Sequence, residues 1–88
     1  MKEPPGEIQN SSPPAARLDL RGTPCPLNFI RSKLALEKLE PGALLRVELD
    51  AGEPERMVAE GLRGEGHQLE LQRLADGAVA LLIHRRGG

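Results

Sequence analysis

The chain has one cysteine, Cys25, one aromatic residue, Phe29, and neither tryptophan nor tyrosine among its 88 residues. A single thiol excludes an intramolecular disulfide, a Cys-x-x-Cys redox pair and any zinc site built on two or more thiolates. The shortage of aromatic rings removes a platform on which bases could stack. Because a chain this short forms one small domain that buries only about 60% of its unfolded surface, its core must be compact and aliphatic.

Charge of one sign and long apolar runs are missing as well. Twelve basic and 13 acidic residues give a net charge of −1, whereas a nucleic-acid binder usually has a basic surplus, so we expect no direct nucleic-acid binding. No apolar run approaches the roughly 18 residues of a membrane helix. The chain starts with acids and prolines where a signal peptide would have an apolar region. We therefore expect a cytoplasmic protein with no membrane partner.

Composition divides the chain into a tail and a domain. Residues 1–16 are rich in proline and small polar residues, with Ile8 as their one strongly apolar side chain. Such a segment cannot bury enough surface to offset its ordering entropy, so we predict a disordered tail over 1–16. The folded domain is predicted over 17–86, and residues 87–88 form a flexible Gly-Gly end.

Apolar periodicity predicts the element order β-α-β-α-β-β. The first helix follows Pro26, a residue suited to a first helical turn, and ends before the Pro-Gly pair at 41–42. Four strands and two helices favour an α/β (α+β) two-layer sandwich, in which both helices cover one face of a four-stranded mixed sheet. The other face would carry Arg46, Glu48, Glu70, Gln72 and His84.

The first helix has two apolar patches. Leu27, Ile30 and Leu34 share one side at helical spacing, and Phe29 and Leu36 fall nearly opposite. The second patch could meet a neighbouring helix or a protein partner.

Cys25 stands immediately before Pro26, at the predicted start of the first helix. The free N–H groups of a helix start and the positive end of its dipole favour an anion, here the thiolate, which is the reactive form of cysteine. Pro24 and Pro26 restrict the backbone and should hold the sulfur in one direction, while Leu27 and Asn28 supply the remaining N–H donors. The alternative is a buried cysteine acting as a small hydrophobe, although a loop between two elements usually runs along the surface.

An exposed thiol without helpers has few chemical roles. A hydrolase would need a paired base, and the sequence does not bring His67 or His84 to Cys25; a disulfide oxidoreductase would need a resolving cysteine. Carrying a group on sulfur remains, as a persulfide, an acyl group or a mixed disulfide. These roles need no metal and no organic cofactor, and we expect neither.

Four short elements resemble the TusA/SirA-like sulfur-carrier family in order and spacing: Leu-Asp at 18–19, Gly-x-x-Cys-Pro at 22–26, Pro-Gly at 41–42 and Gly-His at 66–67. The resemblance extends from about Arg17 to Arg85 and implies a β-α-β-α-β-β sandwich with the cysteine at the start of the first helix. It also implies that Cys25 accepts persulfide sulfur from a donor, such as a cysteine desulfurase or a rhodanese-like protein, and relays it to an acceptor protein as a sulfurtransferase.

The sequence departs from the family pattern at Asn28, where the usual Cys-Pro-x-Pro motif has its second proline. The Asn28 side chain could donate to the sulfur of Cys25, cap the helix, or be a tolerated surface substitution. The family's tRNA-thiolation members often have a Phe-Cys pair where this chain has Gly61-Leu62. The acceptor pathway therefore stays open among tRNA thiolation, molybdenum-cofactor maturation and sulfur metabolism.

Positive charge near the thiol could keep the sulfur anionic and dock an acidic partner. The family commonly has a basic residue at the position of Lys33, and the alternative is an ordinary solvated helix face. The candidate docking residues are Arg21, Phe29, Arg31, Lys33, Leu36 and Arg56.

Two other functions stay open. The patch at Phe29 and Leu36, together with the proline-rich tail, would suit a non-catalytic protein-interaction module. The terminal Gly-Gly at 87–88 resembles ubiquitin-like carriers, which hold sulfur as a C-terminal thiocarboxylate. Their fold, however, begins with a β-hairpin before the main helix, whereas this chain begins with a strand and then a helix.

Overall fold

The computed structural model describes residues 14–87, so most of the tail predicted over 1–16 lies outside the described residues. The elements, in chain order, are β1 (Ala16–Asp19), α1 (Leu27–Glu37), β2 (Leu44–Leu49), α2 (Glu53–Gly64), β3 (Gln68–Arg73) and β4 (Val79–His84). This confirms the predicted order and the two-layer α/β fold. Within the described residues, neither helix has the length and apolarity needed to cross a bilayer.

The first strand, β1, begins one residue before the predicted domain boundary at residue 17. The N–H of Ala15 donates to the carbonyl of Leu44 (2.7 Å), and β1 starts at Ala16. These contacts are made by the backbone. Two alanines after a proline pair carry no side-chain signal for a strand, and this is why composition assigned them to the tail.

The sheet is mixed, with the strand order β1-β2-β4-β3. β1 pairs with β2 in parallel, and β4 pairs with both β2 and β3 in antiparallel fashion. A parallel pair needs a crossover connection, which α1 supplies. Because β1 and β2 point the same way, both end at one end of the sheet, and both helices begin there. We call this the carboxyl end of the sheet; it includes the β3–β4 hairpin, since Val79 lies opposite Leu49 and Arg73.

The core lies between the sheet and the helices. Alternate residues of β2 and β4 are fully buried on this face, and α2 adds Val58 and Leu62. The other face of the sheet is polar, as predicted: Arg46 lies between Arg17 and Leu82 in the register and donates hydrogen bonds to Glu48 and Gln72. The buried side chains of the strands are Leu45, Val47, Leu49, Val79, Leu81 and Ile83.

The side of α1 that faces the core carries Asn28, Ser32 and Leu36, all buried. The hydroxyl of Ser32 donates to the carbonyl of Asn28 (2.9 Å), which satisfies it without a partner from the sheet. Since Leu36 is only 1% exposed, its prediction as a docking residue is wrong. Helical spacing placed Leu36 on a patch but could not say whether that patch faced the sheet or solvent.

The two helices meet where Phe29 packs over Gly61. A Cβ atom on Gly61 would lie 2.7 Å from Cε1 of the Phe29 ring, so the approach depends on the missing side chain. One turn further along α1, Lys33 Nζ lies 3.2 Å from Oε2 of Glu65, the residue that directly follows α2. Each contact joins residues the same number of positions apart, and so the helices run parallel. Phe29 therefore meets the neighbouring helix, one of the two roles that the sequence left open for it.

The contact between Phe29 and Gly61 leads to a prediction about stability. In Gly61→Ala, the gain in helix propensity of about 1 kcal/mol is outweighed by overpacking, which typically costs about 1–3 kcal/mol. We expect the free energy of unfolding to fall by about 1 kcal/mol in urea titrations.

Gly64→Ala is the matched control, because a Cβ there meets nothing within 4 Å. It should leave stability unchanged or raise it by up to about 1 kcal/mol. A Gly61→Ala protein as stable as the Gly64→Ala protein would contradict the close helix contact.

Candidate functional site

Cys25 lies at the carboxyl end of the sheet, in the loop that joins β1 to α1. Cys25 is exposed and its thiol is free, so the alternative of a buried structural thiol is wrong. The peptide bond between Cys25 and Pro26 is cis, and α1 begins at Leu27, immediately after it. The thiol therefore stands in solvent within two residues of a helix N-terminus.

The N–H groups of the first turn are not equally available to an anion. The N–H of Asn28 donates to the carbonyl of Pro24 (3.1 Å), and the N–H of Phe29 to Oδ1 of Asn28 (2.7 Å). Within residues 14–87, no acceptor takes the N–H of Leu27. Of the two donors expected from the sequence, only Leu27 is thus left for a sulfur anion or for water.

Asn28 is fully buried, so the prediction that it is a tolerated surface substitution is wrong. Its Oδ1 accepts the N–H of Phe29, a local bond that helps to satisfy the first turn of α1. Within residues 14–87, its Nδ2 has no hydrogen-bond partner and makes no bond to the sulfur of Cys25. The N-cap of α1 is Pro26, and no side chain caps the helix there, so the predicted capping role of Asn28 is wrong as well.

Hydrogen bonds from the backbone N–H groups of the loop before the thiol hold that loop in place. Leu20 is buried, and its N–H donates to the carbonyl of Glu48 (2.9 Å). Gly22 has a φ of +79°, which favours glycine, and its N–H donates to Oδ2 of Asp50 (2.8 Å). The N–H of Thr23 closes the turn on the carbonyl of Leu20 (3.0 Å). These bonds fix the path of the chain into Cys25.

Arg21 is enclosed by carboxylates. Its guanidinium donates to Asp19 and to Asp76 (3.0 Å), and lies 3.6 Å from Glu48. The side-chain hydrogen bond from Arg21 holds the pKa of Asp19 below its ordinary value, and the same bond raises the pKa of Arg21. Arg21 thus links β1, β2 and the β3–β4 hairpin, and its charge is already matched, which argues against its predicted role in docking.

The other basic residues predicted to dock a partner differ in whether an ion pair already engages their charge. Lys33 is engaged by its ion pair at the end of α2, and Arg56 pairs with Glu53 in the first turn of α2. Arg31 is exposed, and no ion pair joins it within the described part of the chain. Arg31 is therefore the one predicted docking cation whose charge is uncompensated there.

Both histidines lie away from Cys25, at the opposite end of the sheet. His84 pairs with Leu44, the first residue of β2. Nδ1 of His67 accepts the backbone N–H of Arg86 (2.9 Å), and burial lowers the pKa of His67. No histidine is therefore placed to act as a base toward the thiol. Among residues 14–87, no three His, Cys, Asp or Glu side chains converge as metal ligands.

Sequence reasoning missed two acidic residues that hold the site, Asp50 and Asp76. Asp50 directly follows β2, and Asp76 lies in the β3–β4 hairpin turn, both at the carboxyl end of the sheet. The carboxylate of Asp50 accepts the N–H of Gly22, and that of Asp76 accepts a hydrogen bond from the Arg21 guanidinium. Their position after strands is a usable signal, but only once the parallel pairing of β1 and β2 is known.

The fold and the site together define a class: a small α/β sandwich that presents one cysteine thiol at the N-terminus of its first helix. Comparisons with known proteins agree. Residues 16–85 match the family model described as "Sulfurtransferase TusA". The chain belongs to the TusA sulfurtransferase family.

Relatives and a solved structure support the assignment. A protein of Archaeoglobus fulgidus is 36% identical over 70 residues, covering 78% of this chain and 80% of its own; one of Thermotoga maritima is 33% identical over 52 residues, covering 59% and 66%. Both bear the name "Putative sulfur carrier protein". The crystal structure of a SirA-like protein from Desulfitobacterium hafniense is similar, with a TM-score of 0.73 and 28% identity over 81% of this chain and 97% of that one.

The environment of His67 predicts a dependence of stability on pH. Burial favours the neutral ring, so the folded pKa lies below the ordinary 6.5. The resulting stability is fully present above pH 6.5 and is lost as the pH falls through the folded pKa, because the unfolded state binds the proton more readily. We expect the free energy of unfolding to decrease between pH 7.5 and pH 5, and to decrease less in His67→Gln. An NMR titration of wild-type His67 at or above 6.5 would contradict this.

Proposed function

We propose that this protein is a sulfur carrier that holds persulfide sulfur on Cys25 and relays it from a donor protein to an acceptor protein. The observation that carries the proposal is the exposed thiol at the helix N-terminus of a TusA-family chain. The names of its relatives as sulfur carriers support it. We further propose that the donor is a cysteine desulfurase or a rhodanese-like protein, and that the relay operates in the cytoplasm.

The transfer balances without an external oxidant or reductant. The Cys25 thiolate attacks the outer sulfur of the donor's persulfide; a bond forms between Sγ and that sulfur as the donor's S–S bond breaks, and the donor cysteine leaves as a thiolate. In the second step, a nucleophile of the acceptor attacks the outer sulfur now on Cys25. The Cys25 thiolate is then released, ready for another cycle.

The chain contributes position and charge to these steps. The thiol lies beside the N-terminus of α1, where the N–H of Leu27 has no acceptor within residues 14–87 and is available as a donor to a bound anion. The bonds of Gly22 and Leu20 hold the loop, so the thiol stays at the carboxyl end of the sheet. The chain has no second cysteine to attack the persulfide, and release therefore waits for the acceptor.

The described residues weaken the two competing functions, although most of the proline-rich tail lies outside them. Phe29 and Leu36, which would have formed the surface of an interaction module, pack against α2 and the core. A thiocarboxylate carrier would begin with a β-hairpin, whereas here β1 pairs in parallel with β2 across α1. Within the described residues, the exposed thiol is thus the feature best suited to carry sulfur.

Loading with sulfur tests the proposal directly. Wild-type protein treated with a persulfide-charged cysteine desulfurase or with inorganic polysulfide should gain the mass of one sulfur atom on the peptide containing Cys25. Dithiothreitol should remove it. We expect Cys25→Ser to lose this loading completely, because its hydroxyl is not the required nucleophile.

The contradicting results are equally definite. Sulfur gained by the Cys25→Ser protein, or found at the C-terminus of the wild type in place of an oxygen atom, would contradict the persulfide mechanism. Circular dichroism of Cys25→Ser should match the wild type, since the side chain is exposed.

A further inference from the structure

A row of apolar side chains lies uncovered on α1. Leu27, Ile30 and Leu34 are 46%, 44% and 51% exposed. They follow one another at helical spacing on the side of α1 that faces away from the buried Asn28, Ser32 and Leu36. We call these three residues the α1 stripe. The sequence predicts that they share one side of the helix, and in the structure that side is exposed to solvent.

A single exposed leucine needs no explanation, but a contiguous row beside a reactive group does. The other large apolar residues that are exposed in the described part of the chain, Met57 and Leu71, lie on different elements, α2 and β3. The α1 stripe, by contrast, starts two residues after Cys25. Leu27 and Ile30 lie within one turn of each other, about 5 Å along the axis.

We propose that the α1 stripe is the surface on which the protein that donates persulfide sulfur docks. This rests on the proposed function, which requires the donor's sulfur to come within bonding distance of Cys25 Sγ. A protein surface that approaches so closely also covers the side chains immediately after the thiol, above all Leu27 and Ile30. Their burial supplies an apolar centre for the complex, the region that dominates binding energy in protein interfaces.

Charge on α1 indicates the chemistry of the partner. The first turn of α1 has no acidic residue, and the exposed Arg31, next to Ile30, has no ion pair within residues 14–87. At the carboxyl end of the sheet, Asp76 pairs with Arg21 and Asp50 accepts the N–H of Gly22; the one carboxylate of α1, Glu37, lies in its last turn, at the opposite end of the helix from Cys25. The complementary partner therefore offers an apolar cleft with acidic side chains along the rim that meets Arg31.

The size of the stripe favours a transient partner over a second copy of this chain. Stable interfaces bury about 800 Å² per partner, with roughly 20–30 residues on each side. Three side chains on an 11-residue helix fall well short of that. A self-dimer through α1 would also cover the flank of Cys25 that the donor must reach. A carrier that binds and releases its partners in turn needs only a small surface.

The test compares a small donor with a protein donor. Inorganic polysulfide needs no docking surface, whereas a persulfide-charged cysteine desulfurase or rhodanese does. The variant Ile30→Gln/Leu34→Gln removes apolar surface without adding charge near the thiol. The matched control is Leu71→Gln, since Leu71 is exposed to a similar extent, 40%, but lies on β3.

We expect the double variant to take sulfur from polysulfide at the wild-type rate, and from the protein donor at least about tenfold more slowly. Leu71→Gln should match the wild type with both donors. Arg31→Gln should reduce the salt dependence of loading from the protein donor, since rim charges act mainly on the association rate.

Each opposite result has a definite meaning. Equal protein-donor rates for the double variant and the wild type would overturn the docking surface and leave the proposed function intact. So would a dimer of the wild type that the double variant abolishes in sedimentation experiments, because a second copy would then occupy the stripe. If neither donor loads wild-type Cys25, the proposed function fails and the docking surface fails with it.

Discussion

The parallel pairing of β1 with β2 is the constraint on which the rest of this structure depends. It requires a crossover through α1, and it sends both helices away from the same end of the sheet. The loop carrying Cys25, the start of α2 and the β3–β4 hairpin meet there as a result. The loop contacts made by Gly22 and Arg21 are possible only because Asp50 and Asp76 arrive at that end.

The site built on this pairing consists mostly of backbone. No histidine lies near the thiol, and Arg21 is occupied by carboxylates. Within residues 14–87, the surroundings of Cys25 are a loop held by hydrogen bonds and the N-terminus of α1, where the N–H of Leu27 has no acceptor. Among the described residues, the carboxylates at this end of the sheet are held by Arg21 and by the N–H of Gly22, and no histidine is near enough to act as a base on a bound substrate. This arrangement fits a carrier, whose partners supply the remaining chemistry.

The rotation of α1 about its own axis decides which residues can meet those partners. The sequence offered two apolar sides, and the structure buries the one that contains two polar residues, Asn28 and Ser32. Local bonds make this tolerable, since Ser32 donates to the carbonyl of Asn28, whose side chain accepts a first-turn N–H. The close approach of Phe29 to Gly61 then holds this rotation. The two local hydrogen bonds of Asn28 and Ser32 cannot be predicted from hydrophobic periodicity, which records only where apolar residues recur.

The sequence by itself determined the element order, the two-layer fold, the family and the place of Cys25 before a helix, because alternation, breaker residues and motif spacing are local properties. Tertiary structure alone decided that Leu36 is buried, that Arg21 is neutralised by Asp19 and Asp76, and that Leu27, Ile30 and Leu34 face solvent. These outcomes depend on which distant residues share one end of the sheet and on how closely two helices approach, and both are set by packing across the whole chain.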